Sequence, residues 1–182
     1  MKARSGVVAA SPKTVQGLIT QEHAQLRHHL DHVRAVAHGM PSEEPLMLRN
    51  RLDAVLSFLH HGLLPHLEVE EHTLCAAVDR LPSGPHCGPA MAFDHAAIRA
   101  LVADVDRVAR GVRFKTEAAE LQRLLFVLEA LARLHVDKEE RLYLPALKRL
   151  PLKDRQAIGE QLGEHAVKHG HERWGFSEHP RP

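Results

Sequence analysis

The segment HLEVEEHTL at residues 66–74 returns in altered form as HVDKEERLY at residues 135–143. Each copy begins with a histidine, carries two adjacent glutamates four and five residues later, and then continues into apolar sequence. When the alignment is extended to Pro82 and Pro151, seven of the 17 paired positions are identical. The chain therefore contains two copies of one unit. An internal repeat of this kind indicates that the fold is built from two similar halves.

A second pair of matching segments lies upstream of the first pair. EHAQLR at residues 22–27 parallels DHAAIR at residues 94–99, with an acid, a histidine, an alanine, Leu or Ile, and an arginine in register. The two offsets, 72 and 69 residues, are nearly equal. Each half of the chain thus carries a single histidine followed by a His-x-x-x-Glu pair, which indicates two helical hairpins of the same design.

The composition excludes several classes of protein. With 24 Lys and Arg against 23 Asp and Glu, the net charge is +1, so no overall field attracts nucleic acid or an anionic membrane. Aromatic residues make up only 4% of the chain, which disfavours a sheet protein. No apolar run approaches the roughly 18 residues that a membrane-spanning helix needs. We therefore predict a cytoplasmic protein that binds neither nucleic acid nor membrane and exists as a monomer or weak homodimer.

Apolar periodicity and helix breakers predict an all-α fold. Proline and glycine interrupt the chain at PSEEP (41–45) and PSGPHCGP (82–89), and Pro65 and Pro145 are expected to kink or end the helices that contain them. The predicted helices span about residues 14–38, 46–81, 90–110, 115–150 and 153–168. This pattern favours an up-and-down four-helix bundle built from two similar hairpins, with a short C-terminal helix and tail. The predicted divisions are a flexible N-terminus (1–13), the bundle (14–150) and a C-terminal helix with a His-rich tail (151–182).

The spacing of the repeated histidines and glutamates predicts a metal centre. Four residues are about 1.1 helical turns, so His66 and Glu70 project from one face, as do His135 and Glu139. If these faces point inward, unpaired carboxylates and imidazoles would be costly, and a pair of metal ions would turn that cost into ligand bonds. The predicted ligands are His23, His66, Glu70, His95, His135 and Glu139. Imidazole and carboxylate without thiolate suit iron or manganese.

In order and spacing, these six positions resemble the hemerythrin-like (HHE cation-binding) family over about residues 15–150. The resemblance implies a four-helix bundle with two non-haem iron ions, bridged by two carboxylates and an oxo or hydroxo group. The chain departs from the oxygen-carrying members, which have two histidines one turn apart on the third helix. Around His95 the corresponding residues are Met91 and Arg99. One iron would then lack a protein ligand or obtain it elsewhere, which favours redox chemistry over simple oxygen carriage.

The candidates for a further ligand are Tyr143, Glu71, Glu140, His165 and His169. Glu71 and Glu140 lie about 100° around their helices from the repeated ligands, so we interpret them first as outer or solvated acids. Glu22 and Asp94 receive the same interpretation. Histidines without a counterpart in the other half are interpreted as surface or core residues. The two cysteines, Cys75 and Cys87, have no CxxC spacing and are interpreted as plain thiols, Cys75 as a buried one.

Three functions remain open on this evidence. The first is a protein of redox, nitrosative-stress or iron homeostasis that binds a small diatomic ligand, O₂ or NO, or peroxide at the iron pair. The second is a di-iron enzyme that disproportionates peroxide, as a catalase does, or reduces NO. The third is a metal-free helical interaction domain, which predicts that added metal leaves the melting temperature unchanged.

Overall fold

The computed structural model describes residues 14–40, 42, 44–82, 84, 86–110 and 115–169. The predicted flexible N-terminus and the His-rich tail beyond residue 169 lie outside these residues. Within them the chain is helical, without strands, which confirms the all-α prediction. The helical segments are α1 (Val15–Gly39), α2 (45–78), α3 (Cys87–Ala109), α4 (115–147) and α5 (Leu152–His169). No helix in this part of the chain is long and apolar enough to cross a membrane.

Two side-chain caps determine where α1 and α3 begin. The Thr14 hydroxyl accepts a hydrogen bond from the Gly17 N–H at 3.1 Å, as a helix N-cap should. The Asp79 carboxylate accepts bonds from the N–H groups of Cys87 at 2.6 Å and Gly88 at 2.9 Å. Because Asp79 reaches across the turn, α3 begins three residues earlier than the sequence pattern predicted.

The two internal prolines are accommodated by widened turns instead of breaks. In α2, the Leu64 N–H bonds to the carbonyl of Leu59, five residues back, at the end of a π turn (Leu59–Leu63). In α4, the Leu144 N–H bonds to the carbonyl of Glu139 in the same way, at the end of the π turn Glu139–Tyr143. Pro65 and Pro145 follow directly, and a proline ring crowds the carbonyl four residues before it. The π turn makes room for the ring, and both helices continue.

The helices enclose two hydrophobic clusters, one at each end of the predicted metal centre. Helix α1 contacts α2, α4 and α5, and α3 contacts α2 and α4. The larger cluster includes Leu26 and Ile98, whereas the smaller one includes Ile19 and Met91. Along α1 and α3 the repeated histidines fall between these pairs. Helix α5 covers the end occupied by the smaller cluster, to which it contributes Ile158 and Leu162.

Candidate metal centre

The six predicted ligands meet in the interior. Helix α1 contributes one histidine, α3 contributes one, and α2 and α4 each contribute a histidine and a glutamate from the same face. None is more than 2% exposed. The residues are His23, His66, Glu70, His95, His135 and Glu139. Their convergence follows from the repeat, because each hairpin presents one half of the cluster.

Glu70 lies between two pairs of histidines. Its Oε1 is 2.9 Å from His66 Nε2 and 3.5 Å from His23 Nε2. Its Oε2 is 3.4 Å from His135 Nε2 and 3.7 Å from His95 Nε2. Each carboxylate oxygen therefore faces one histidine pair, which is the arrangement expected of a residue that bridges two cations.

Glu139 supplies a second carboxylate at the same place. Its Oε2 is 3.3 Å from His23 Nε2 and 3.7 Å from His135 Nε2. The potential ligand atoms fall into two groups, each with its members within 4.8 Å of one another. The groups are His23, His66, Glu70 and Glu139, and Glu70, His95 and His135. Two metal positions that share Glu70 therefore fit the donor set.

The cluster is rich in buried polar atoms that make no hydrogen bond. These atoms are the Nε2 of His23, His66 and His95, both ring nitrogens of His135, and both carboxylate oxygens of Glu70 and Glu139. A buried polar atom without a partner costs roughly 1–3 kcal/mol. Cations bound among these atoms would convert the cost into coordination bonds. The residues present therefore fit a metal pair.

Four further carboxylates support the histidines from outside. Each Nδ1 faces an acid from another helix: His23 faces Glu140 at 3.1 Å, His66 faces Glu22 at 3.2 Å, His95 faces Glu71 at 2.7 Å, and His135 faces Asp94 at 3.6 Å. A carboxylate within hydrogen-bond distance of Nδ1, as at His23, His66 and His95, favours a proton there, which leaves Nε2 to ligate and orients the ring. The arrangement explains why an acid precedes each upstream histidine and why the glutamates occur in pairs.

Two of the outer acids are in turn held in place by arginine side chains. Arg27 donates to both oxygens of Glu140, at 2.8 and 2.9 Å, and Arg99 donates to both oxygens of Glu71, at 2.8 and 3.1 Å. Such two-pronged pairs fix the position of a carboxylate better than a single bond does. The arginine that ends each upstream repeat segment thus holds an outer acid.

The twofold pattern is broken at the remaining two acids. Lys138 donates to Asp94, but the equivalent residue in the first half is Val69, which carries no charge. His165 from α5 takes this place, with its Nε2 3.8 Å from Glu22 Oε1. The C-terminal helix therefore completes the outer shell of the first half. The sequence holds no signal for this role, because His165 has no counterpart in the repeat.

Burial and neighbouring charges shift the pKa values within the cluster. Burial raises the pKa of Glu139 to about 7, and the charge of Glu70 contributes to the rise. Burial by itself would lower the pKa of His23, but the nearby carboxylates of Glu139 and Glu70 outweigh it and raise that pKa to about 9. The pKa of Glu70 stays well below its usual range despite burial, because His66 and the other histidines surround it. Without metal, the cluster therefore retains protons that a cation would displace.

The residues considered as additional ligands lie outside the inner cluster or in the smaller hydrophobic cluster beside it. Glu71 and Glu140 stand behind imidazoles, and His165 contacts Glu22. Tyr143 is buried in the smaller hydrophobic cluster, and burial raises its pKa to about 12. The side chain of His169 falls outside the described part of the chain. Of the two neighbours of His95, Met91 belongs to the smaller cluster and Arg99 binds Glu71.

Replacing an outer acid should weaken metal binding without abolishing it. We expect Glu71→Gln to lower metal affinity about 10- to 100-fold, because a neutral amide oxygen accepts from His95 Nδ1 more weakly than a carboxylate does. The matched control is Glu68→Gln, an exposed acid on the same helix. Competition with a chromophoric chelator measures both affinities. Equal affinities in the two variants would contradict the assigned role of Glu71.

Comparison with known proteins identifies one similarity. A protein-family model described as the hemerythrin HHE cation binding domain matches residues 14–147, which is most of the chain. No curated protein and no solved structure matches. The matched range contains all six inner residues and the four outer acids.

Proposed function

The chain belongs to the hemerythrin HHE cation-binding family, and from that premise we propose that its buried cluster holds two non-haem iron ions. The observation that carries the proposal is Glu70, whose two oxygens each face a different histidine pair. A single ion would leave one of those pairs and one carboxylate oxygen buried without a partner. The four helices that supply the ligands would then run up and down, as the repeat predicts.

The donor set favours iron over structural zinc. Each ion would receive two imidazoles and an oxygen of Glu70, and Glu139, whose Oε2 lies near His23 and His135, would supply a second carboxylate. Structural zinc sites are closed by four ligands and are commonly rich in thiolate, whereas iron accepts nitrogen and oxygen ligands at higher coordination number. Bound iron would supply redox chemistry and open positions for O₂, NO or hydrogen peroxide.

The surrounding residues protect and tune the centre. Hydrophobic clusters on both sides limit access of water, and the outer acids hold the histidine rings in one orientation. Near neutral pH in the metal-free protein, Glu139, with a pKa of about 7, is partly protonated, and the phenol of Tyr143, with a pKa of about 12, is fully protonated. These features support a role in redox or iron homeostasis in which a small ligand binds at the iron pair.

A peroxide-disproportionating or NO-reducing enzyme is the second candidate. Only two histidines lie in each group of potential ligands. Each ion would then keep open coordination positions at which peroxide or NO could react, which favours this candidate. Tyr143, a phenol that belongs to the smaller hydrophobic cluster and lies one turn after Glu139, is the residue that would supply a proton in such a reaction.

Metal content tests the proposed function. Protein produced in iron-supplemented medium and purified without chelator should contain about two irons per chain, one for each group of potential ligands. Near-ultraviolet absorption characteristic of a bridged iron pair should accompany them. His135→Ala should lose this absorption, whereas His72→Ala, an exposed histidine of α2, should keep it.

Peroxide treatment then separates the two candidates. Oxygen release at many turnovers per iron pair would support the enzyme, and a spectral change without turnover would support the binding protein. Iron at one per chain or less, with no rise in melting temperature on addition of Fe(II), would contradict the di-iron proposal.

A further inference from the structure

The two cysteines, 12 positions apart in sequence, are neighbours in the fold. Cys75 Sγ and Cys87 Sγ are 2.7 Å apart, and both thiols are free and buried. The sequence pattern predicted plain thiols, Cys75 a buried one, because the spacing matches no cysteine motif. The structure agrees that both are free thiols and adds that the two sulfurs lie side by side.

Both cysteines stand on fixed backbone. Cys75 ends the π turn Glu71–Cys75 of α2, and Cys87 is the first residue of α3. Asp79 holds the start of α3 through two backbone N–H groups, so the backbone at Cys87 is held in place. A disulfide bond is about 2.05 Å long, so closing one requires less than about 1 Å of sulfur movement.

The thiol pair adjoins the metal centre. On α2, Cys75 follows Glu70 by five residues, and on α3, Cys87 precedes His95 by eight. The cysteines share the smaller hydrophobic cluster with Tyr143, which lies one turn after Glu139. The thiol pair therefore lies on the side of the centre that the smaller hydrophobic cluster occupies.

We propose that Cys75 and Cys87 form a redox-active dithiol that hydrogen peroxide converts to an intramolecular disulfide. One thiolate attacks a peroxide oxygen, the O–O bond breaks, and a sulfenic acid and one water result. The second sulfur attacks the sulfenic sulfur, the S–S bond forms, the S–O bond breaks, and a second water leaves. Peroxide is reduced by two electrons and the two thiols are oxidised by the same two. The step needs no metal ion, so it stands apart from the di-iron proposal.

The buried environment of Cys75 disfavours the thiolate form of its side chain. The neighbouring thiol and burial raise the pKa of Cys75, and the charges of Glu70 and Glu139 add to the rise. Once either sulfur has reacted with peroxide, the other sulfur, 2.7 Å away, resolves the sulfenic acid. The disulfide would tie the helix that carries Glu70 to the helix that carries His95.

Intact-mass analysis of the full chain tests the proposal. Metal-free and iron-loaded samples are treated with hydrogen peroxide, unfolded, and alkylated at free thiols. We expect a mass loss of two hydrogen atoms and no alkylation, both reversed by dithiothreitol. Because the chain has only two cysteines, the intramolecular bond has a single pairing. Cys75→Ala and Cys87→Ala should instead gain oxygen.

A thermal measurement supplies a second readout on the unmutated chain. Closing the 12-residue separation should raise the melting temperature by about 5–10 °C, and dithiothreitol should reverse the rise. Two alkylatable thiols after treatment, or disulfides only between chains, would overturn the proposal. Closure in the metal-free sample together with failure to bind iron would contradict only the proposed function. Iron binding without closure would contradict only the dithiol.

Discussion

Replacing Glu70 with glutamine is expected to remove both metal ions, the largest effect of any single substitution in the cluster. Its Oε1 serves the pair His23 and His66, and its Oε2 serves the pair His95 and His135. An amide offers one neutral oxygen and one NH₂ group, so both halves lose the anionic oxygen that Glu70 gives them, and Glu139 remains as the one inner carboxylate. We expect metal affinity to fall more than about 100-fold, beyond the loss expected for an outer acid.

The comparison with other ligands makes the prediction specific to Glu70. Since His95 belongs to only one group of potential ligands, His95→Ala should leave about one iron per chain. Glu68→Gln should leave both. Metal analysis of each folded variant, with helicity checked by circular dichroism, gives the stoichiometry. Two retained irons in Glu70→Gln would contradict the bridging role.

The metal-free protein should lose stability as the pH rises from about 5 to 9. The pKa of Glu139 is raised from 4.5 to about 7, so folding favours its protonated form. That contribution is complete below 4.5 and is lost as the pH rises through 7. The pKa of His23 is raised from 6.5 to about 9, so its contribution is lost as the pH rises through 9. Since each pKa unit corresponds to about 1.4 kcal/mol, the cluster as a whole should lose a few kcal/mol.

Metal should reverse this dependence on pH. A cation displaces the protons from Glu139 and the histidines, so its affinity rises as the pH rises. Thermal unfolding with chelator and with Fe(II), at pH 6, 7, 8 and 9 under anaerobic conditions, should show a widening gap between the two melting temperatures. Glu139→Gln should flatten the metal-free curve between about pH 5 and 7. A constant gap would show that the cluster holds no displaceable protons.

The helices and the identities of the inner residues were predictable because their signals are local. Helical periodicity puts His66 and Glu70 on one face wherever the helix lies, and the repeat says that residues 135–143 use the same face. Caps and breakers act over a few residues, so Thr14 starts α1 as predicted. The exception is the start of α3, where Asp79 acts across a turn.

The partners of the inner residues could not be predicted, because they depend on how the helices are rotated and aligned against one another. Glu140 is 117 residues from the ring nitrogen of His23 that it supports. This contact depends on the register of α1 against α4. A shift of one residue in that register would break it. The contacts of His165 with Glu22 and of Cys75 with Cys87 are further cases. Each joins two different helices, and the repeat does not predict either contact.

The sequence by itself therefore determined a duplicated helical protein with six candidate ligands of defined types. The tertiary structure decided that Glu70 lies between two histidine pairs, that each histidine has its own outer acid, and that Cys75 and Cys87 meet. The physical reason is that hydrogen bonding along a helix depends on neighbours in sequence. Contacts between helices depend on how whole helix faces pack and become buried. This packing brings together residues that are far apart in the sequence and share no local pattern.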